Sequence, residues 1–347
     1  MLSLYCFFIS RGIVLQILLP LHLIIKTIKI EMEYILLIVS LALIIVGAMI
    51  LTDGSVALAH RLRVPEFIVG LTVVALGTSM PEFVVSLLSA LKGSGEMAIG
   101  NVVGSNTFNV FAILGICALF KPINFTKSNI RRDIPLCIVV SFAFLIVTFL
   151  NNDITRFEGA ILLLGYILMV VLTTRADRRA MAKMEHSAES EENDEAKVEM
   201  SVFRMIIWII GGLGALIYGG QLCVDSATTI ARNLGVSEAT IAITLVAGGT
   251  SLPELASSLV SLLKGRASLA LGNVLGSNIA NILLILGACS TVTPLSMGGV
   301  TMFDIYVAVA GAVLLMLSAL FIGRDRITRI EGVLLLSCYV AYIYSLI

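Results

Sequence analysis

The hexad Gly77-Thr78-Ser79-Met80-Pro81-Glu82 stands inside an apolar run that reaches from Phe67 to Leu91. A run of that length reads as a membrane crossing. Two hydroxyls, a proline and a carboxylate therefore sit at membrane depth. A carboxylate near a bilayer centre costs roughly 2.5–3.5 kcal/mol on insertion scales, so it is kept there for a partner or a purpose. The same hexad returns as Gly249-Thr250-Ser251-Leu252-Pro253-Glu254, 172 residues later.

The offset of 172 holds without gaps well beyond the hexad. It aligns Gly100-Asn101-Val102-Val103-Gly104-Ser105-Asn106 with Gly272-Asn273-Val274-Leu275-Gly276-Ser277-Asn278, and Asp53 with Asp225. Ala75–Gly115 and Ala247–Gly287 share 23 identities in 41 positions. Ile154–Gly159 echoes Ile327–Gly332 at offset 173. The chain after Met32 is thus a tandem repeat.

Of 347 residues, 58% are hydrophobic and 13% charged, against about 25% charged in soluble domains. This excludes a soluble enzyme and predicts a polytopic membrane protein. The net charge of zero gives no argument for nucleic acid. Cys6, Cys117, Cys137, Cys223, Cys289 and Cys338 lie in apolar runs without CxxC spacing, which reads as free buried thiols rather than disulfides or a metal site. His22, His60 and His186 are scattered and form no metal-ligand pattern.

Residues 1–31 are apolar but broken by Arg11, Gln16 and Pro20, and they end in Lys26 and Lys29. Signal peptide, interfacial helix and misassigned start all fit; Met32, opening a clean helix, is the favoured start. Spans are predicted at Tyr34–Leu62, Pro65–Leu91, Met97–Phe120, Ile134–Leu150 and Phe157–Thr173. A mixed-charge linker at 175–201 follows, reading as a hydrophilic tether. Further spans are predicted at Val202–Leu234, Glu238–Leu263, Leu269–Val292, Phe303–Ile322 and Ile327–Ile347. The expected organisation is a first five-helix repeat at 32–174, the linker, and a second repeat at 202–347.

An odd number of spans per repeat inverts the second copy relative to the first. With the Met32 end outside, seventeen Lys and Arg fall in inside loops and only Lys92, Arg156 and Arg232 outside. That bias obeys the positive-inside rule and places the linker in the cytoplasm and both outer ends outside.

Proline lacks an N–H and clashes with the carbonyl four residues back. Pro81 and Pro253 are expected to open their helices around Ala75–Thr78 and Ala247–Thr250, freeing carbonyls. Carbonyls, hydroxyls and a carboxylate form an all-oxygen ligand set, suited to Ca2+ or Na+ and wrong for zinc or copper. Gly104-Ser105 and Gly276-Ser277 allow close helix approach. Ser105 and Asn109, like Ser277 and Asn281, share a helix face at i, i+4. Two carboxylates neutralise one divalent ion, or hold two or more monovalent ions or protons, and competition for them is the physical basis of exchange. A Thr-Ser-Xaa-Pro turn alone is often only a kink; two copies, with no Arg or Lys in mid-span after Met32, argue otherwise. Asp53 and Asp225, toward the ends of the first helix of each half, read as structural residues rather than as part of an ion route.

The two hexads and the two Gly-Asn-Val-Xaa-Gly-Ser-Asn segments resemble the α-repeats of the calcium/cation antiporter superfamily, in its small prokaryotic sodium/calcium exchanger branch. The resemblance covers both halves. It implies an all-α membrane protein of ten helices in two inverted five-helix repeats, with broken second and third helices in each repeat and the first helix of each half sliding as a gate. It implies antiport of Ca2+ against Na+ by alternating access, with these ions as substrates, the bilayer as surroundings and no cofactor; protein partners are left open. Carried over by position, the ligands would be Ala75, Thr78, Ser79, Glu82, Ser105 and Asn109, with Ala247, Thr250, Ser251, Glu254, Ser277 and Asn281. Several members have Asp where this chain has Asn281. The site therefore carries two formal charges, which leaves the driving ion and stoichiometry open and argues against a K+ requirement. H+-coupled exchange is the alternative within the fold. A cation channel is disfavoured by the inverted repeat, and an intramembrane hydrolase by the lack of a His or Lys base at depth.

Overall fold

The computed structural model describes residues 2–187, 200–236 and 247–346. Helix α1 runs unbroken from Leu2 to Leu62, so Met32 is no helix boundary; its part Glu31–Leu62 is long and apolar enough to span. Helices α2 (Glu66–Thr78) and α3 (Met80–Leu91) form a pair bent by 49°. Then come α4 (Gly95–Phe120) and α5 (Asn129–Leu150). Helix α6 (Arg156–Ser187) continues well beyond the expected end at Thr173, because Arg175–Glu185 is built almost wholly of strong helix formers. Residues 188–199 of the expected linker lie outside the described residues.

The second half repeats the order. Helix α7 (Val202–Asn233) precedes a helical turn at Ala247–Gly249 and α8 (Leu252–Leu263). Helices α9 (Ala267–Val292) and α10 (Met302–Ile322) follow, then α11 (Arg329–Ser345). Among the described residues, seven helices meet the length and hydropathy of a crossing, or eight with the bent pair. Of the remaining expected spans, Glu238–Leu263 includes residues 237–246, outside the described set, and Ile327–Ile347 holds the 17-residue α11.

Burial sorts these helices into layers. The span windows of α9 and α4 are 94% and 78% buried, while that of α7 is 22% buried. The two Gly-Ser-Asn helices are thus the centre, and α1, α5, α6, α7 and α10 surround it. Outward side chains such as Ile38, Ile45, Leu164, Ile167 and Phe321 are exposed and apolar, the surface of a protein whose solvent is lipid.

Contacts between halves are reciprocal. Strand β1 (Ile123–Asn124) pairs antiparallel with β4 (Arg326–Ile327), and β2 (Asp153–Ile154) with β3 (Leu295–Ser296). Helix α9 crosses α2 almost backbone to backbone: a Cβ on Gly272 would lie 2.4 Å from the Phe67 carbonyl, and one on Gly276 2.4 Å from that of Leu71. Glycine is required there because nothing larger fits.

Candidate functional site

The break in the hexad lies later than expected. Ser79 takes φ −83°, ψ 9°, a bridge-region conformation outside the helix. Its N–H still donates to the Ala75 carbonyl at 3.0 Å, so that carbonyl is not freed. Pro81 occupies the first turn of α3, where a missing N–H costs nothing, so the chain needs to bend only immediately before it. Ser251, at φ −92°, ψ 9°, bends the second copy in the same way ahead of α8. The third helices are not broken. Lacking proline, α4 and α9 instead widen into π-helical turns at Phe108–Ile113 and Asn281–Leu286. Such insertions re-aim side chains and recur at functional sites; here they begin next to Asn109 and at Asn281.

The bends bring the two hexads together across the halves. Glu82 and Glu254 are each 1% exposed. Ser79 Oγ donates to Glu254 Oε1 at 2.8 Å, and Ser251 Oγ to Glu82 Oε1 at 2.9 Å. Each serine therefore holds the other half's carboxylate. Ser105 Oγ lies 3.4 Å from Glu82 Oε1 and 3.3 Å from Ser251 Oγ, whereas the Ser277 hydroxyl has no partner. Thr78 Oγ1 lies within 3.1–3.4 Å of the Val74 and Ala75 carbonyls and of Asn273 Oδ1, so its proton is used locally. Thr250 Oγ1 is unpartnered. Ala75 is fully buried beneath the bend, and Ala247 begins the matching turn.

Four asparagines not foreseen as functional build the frame. Asn101 Nδ2 donates to the Glu82 backbone carbonyl at 3.2 Å and to Ser86 Oγ at 3.0 Å. Asn273 does the same to the Glu254 carbonyl at 3.3 Å and Ser258 at 2.9 Å. Asn106 and Asn278 clasp each other's backbone, at 3.2 and 3.4 Å. Their side-chain oxygens accept from the ligand candidates: Asn109 Nδ2 to Asn278 Oδ1 at 3.0 Å, and Asn281 Nδ2 to Asn106 Oδ1 at 2.9 Å. With each amide nitrogen engaged, Asn109 and Asn281 have Oδ1 left over. The repeated Gly-Asn-Val-Xaa-Gly-Ser-Asn motif was the available signal for these four.

Eleven buried side-chain polar atoms among the described residues lack a hydrogen-bond partner. Seven are hydroxyls; the other four, Glu82 Oε2, Glu254 Oε2, Asn109 Oδ1 and Asn281 Oδ1, are carboxylate or amide oxygens. All four are acceptors. Leaving a buried acceptor unmade costs about 1–3 kcal/mol, more when charged, so this cluster calls for a cation. Outside it, Cys117, Cys137, Cys223, Cys289 and Cys338 are free thiols, and no cluster of three His, Cys, Asp or Glu side chains occurs among the described residues.

Asp53 and Asp225 flank this core without entering it. Asp53 Oδ1 pairs with Lys264 Nζ at 2.6 Å, and Lys264 also donates to the Met49 carbonyl at 3.0 Å. Asp225 is exposed and lines a cavity of about 570 Å³ between α7 and α3, with Gln221, Thr228, Pro81, Thr250 and Pro253.

The chain matches the sodium/calcium exchanger protein family over residues 32–175 and 204–347. CaxA of Alkalimonas amylolytica is 38% identical over 315 residues, covering 90% of this chain and 98% of CaxA. The sodium/calcium exchanger MaX1 of Methanosarcina acetivorans is 30% identical over 348 residues, covering 91% and 99%. The structure of the sodium-calcium exchanger NCX_Mj soaked with zero Na+ and Ca2+ superposes with a TM-score of 0.77 at 29% identity, covering 92% of this chain and all of that one.

Proposed function

The chain belongs to the sodium/calcium exchanger protein family, and from that premise we propose that it exchanges Ca2+ for Na+ across the cytoplasmic membrane by alternating access, extruding Ca2+. The observation that carries the reading is the set of four unpaired acceptor oxygens on Glu82, Glu254, Asn109 and Asn281. Ca2+ takes six to eight oxygens; we assign these four, the serine-held Oε1 atoms, and oxygens of Ala75, Thr78, Ser105, Ala247, Thr250 and Ser277 to the site. Ser79 and Ser251 belong to it by fixing the carboxylates from the opposite half.

The charge balance supplies the coupling. Two carboxylates in a dry core are costly without cations. One Ca2+ neutralises them, and so do Na+ ions held on the same oxygens. Both cations compete for one site, and an empty site is too costly to occlude. That penalty makes exchange favourable over leak, and no cofactor is needed.

Ten spans in two inverted repeats, at 32–174 and 202–347, would give two mirror-related ways to reach this site. The offset of the two family matches, which begin at residues 32 and 204, supports this division, as does the reciprocal strand pairing. The distribution of Lys and Arg supports a cytoplasmic linker with the Met32 and Leu346 ends outside.

Proteoliposomes loaded with Na+ and diluted into Na+-free buffer should take up radioactive Ca2+. Uptake that ignores the Na+ gradient would overturn Na+ coupling. The H+-coupled alternative rests on the same two acids with no third at Asn281; Ca2+ flux after a pH jump without Na+ would establish it instead.

A further inference from the structure

Several contacts inside the centre, and those between the two first helices, come in pairs related by the 172-residue shift, the contacts of Ser105 and Thr78 being exceptions whose equivalents Ser277 and Thr250 are unpartnered. Ser79 with Glu254 mirrors Ser251 with Glu82. Asn109 with Asn278 mirrors Asn281 with Asn106. Between α1 and α7, Gly47 packs on Gly212 and Leu216, while Gly219 packs on Ser40 and Ile44, the same contact seen from the other half.

The contacts between this helix pair and the centre do not obey the rule. Helix α1 is closed onto α8: Thr52 Oγ1 lies 3.0 Å from Ser261 Oγ, and Asp53 pairs with Lys264 at 2.6 Å. The shift carries Asp53 to Asp225 and Lys264 to Lys92. Yet Asp225 and Lys92 are exposed and make no ion pair among the described residues. The 570 Å³ cavity separates their helices, with Val84 and Val85 of α3 facing Ile217 and Gln221 of α7. One seam is shut and its repeat-equivalent is open.

We infer that Asp53–Lys264 and Asp225–Lys92 are alternative latches: the first holds the seam on the linker side shut in this state, and the second forms when the cavity closes and the first has parted. The inference rests on the alternating-access reading above and names the residues that hold each end state. Two latched copies of one Asp–Lys pair give both end states similar energy, which a reversible carrier needs. The latch formed here is partly exposed, with Lys264 at 27% and Asp53 at 43%. An exposed pair biases a population up to about fivefold and does not lock it, so the bound ions retain control.

The test uses sided thiol labelling of the full-length protein. Thr52→Cys, at the shut seam, is read with a membrane-impermeant maleimide in inside-out vesicles, with Cys223→Ser in the background. Lys264→Gln should raise the labelling rate up to about fivefold, and Lys92→Gln should lower it. Exchanging the charges, Lys92→Asp with Asp225→Lys, should return labelling to the reference, while Lys92→Asp alone should not. No change with Lys264→Gln, or equal labelling of the single and exchanged Lys92 variants, overturns the latch. Labelling needs no transport. A latch confirmed alongside Na+-independent Ca2+ flux would stand while the Na+ coupling falls, and Na+-driven flux with unmoved labelling would do the reverse.

Discussion

The centre of this molecule and its flanks obey different rules. At the centre, Glu82 and Glu254 sit in closely similar environments, each held by a serine from the other half and framed by an asparagine bonded to its backbone, with Ser105 adding a contact to Glu82 that Ser277 does not repeat at Glu254. At the flanks, one Asp is neutralised by Lys264 and its repeat-equivalent lines an open cavity. On the proposed alternating-access reading, near-symmetry is expected at the ion site, which serves both faces, and asymmetry at the flanks, because a carrier open on both sides at once would leak.

The most severe way to break this comparison is at the carboxylates. Glu82→Gln and Glu254→Gln should each abolish Ca2+ transport in the flux assay, to the same degree, with the protein still folded and inserted. Wild-type flux in either variant would remove that residue from the site. Next come the orienting amides. Asn106→Ala frees Asn281, and Asn278→Ala frees Asn109; each should weaken Ca2+ binding about 10- to 100-fold, the usual cost of losing a group that aims a ligand. Isothermal titration should find the two losses alike, and unequal losses would break the symmetry of the centre.

Gly276→Ala tests packing rather than chemistry. Its Cβ would press on the Leu71 carbonyl, and overpacking of this kind costs about 1–3 kcal/mol, visible as a lower midpoint in thermal unfolding in detergent. The smallest effect belongs to a flank. Arg266 pairs with Glu66 at 2.7 Å, whereas the 172-residue shift aligns Arg266 with Ser94, which carries no charge. Arg266→Ser should therefore cost less than about 1 kcal/mol and leave Ca2+ affinity unchanged.

Much of the candidate site is legible in the sequence because its elements are anomalies. An acid, a proline and paired hydroxyls in an apolar run stand out against lipid, and repetition removes chance. The reach of helix was less legible. The bend sits later than the prolines suggest because proline in a first turn demands only a bend before it, and α4 and α9 widen rather than break because no proline forces a break. The repeated motif marks Asn101, Asn106, Asn273 and Asn278 but does not disclose their task, since an asparagine's role depends on what faces it.

The sequence by itself determined that this is a membrane protein built from two repeated halves, with oxygen-bearing side chains at matching positions. A local pattern specifies which residues are equivalent. It does not specify whether a residue meets its own copy's neighbour or the other's, since both carry the same chemistry. Only the tertiary structure decided that Ser79 holds Glu254 rather than Glu82, that the Asn109 and Asn281 amide nitrogens are taken up by asparagines of the other half, and that one Asp–Lys seam is shut while its twin is open. Those are choices between arrangements the repeated sequence leaves nearly equal in energy, and packing of the two halves against each other selects among them.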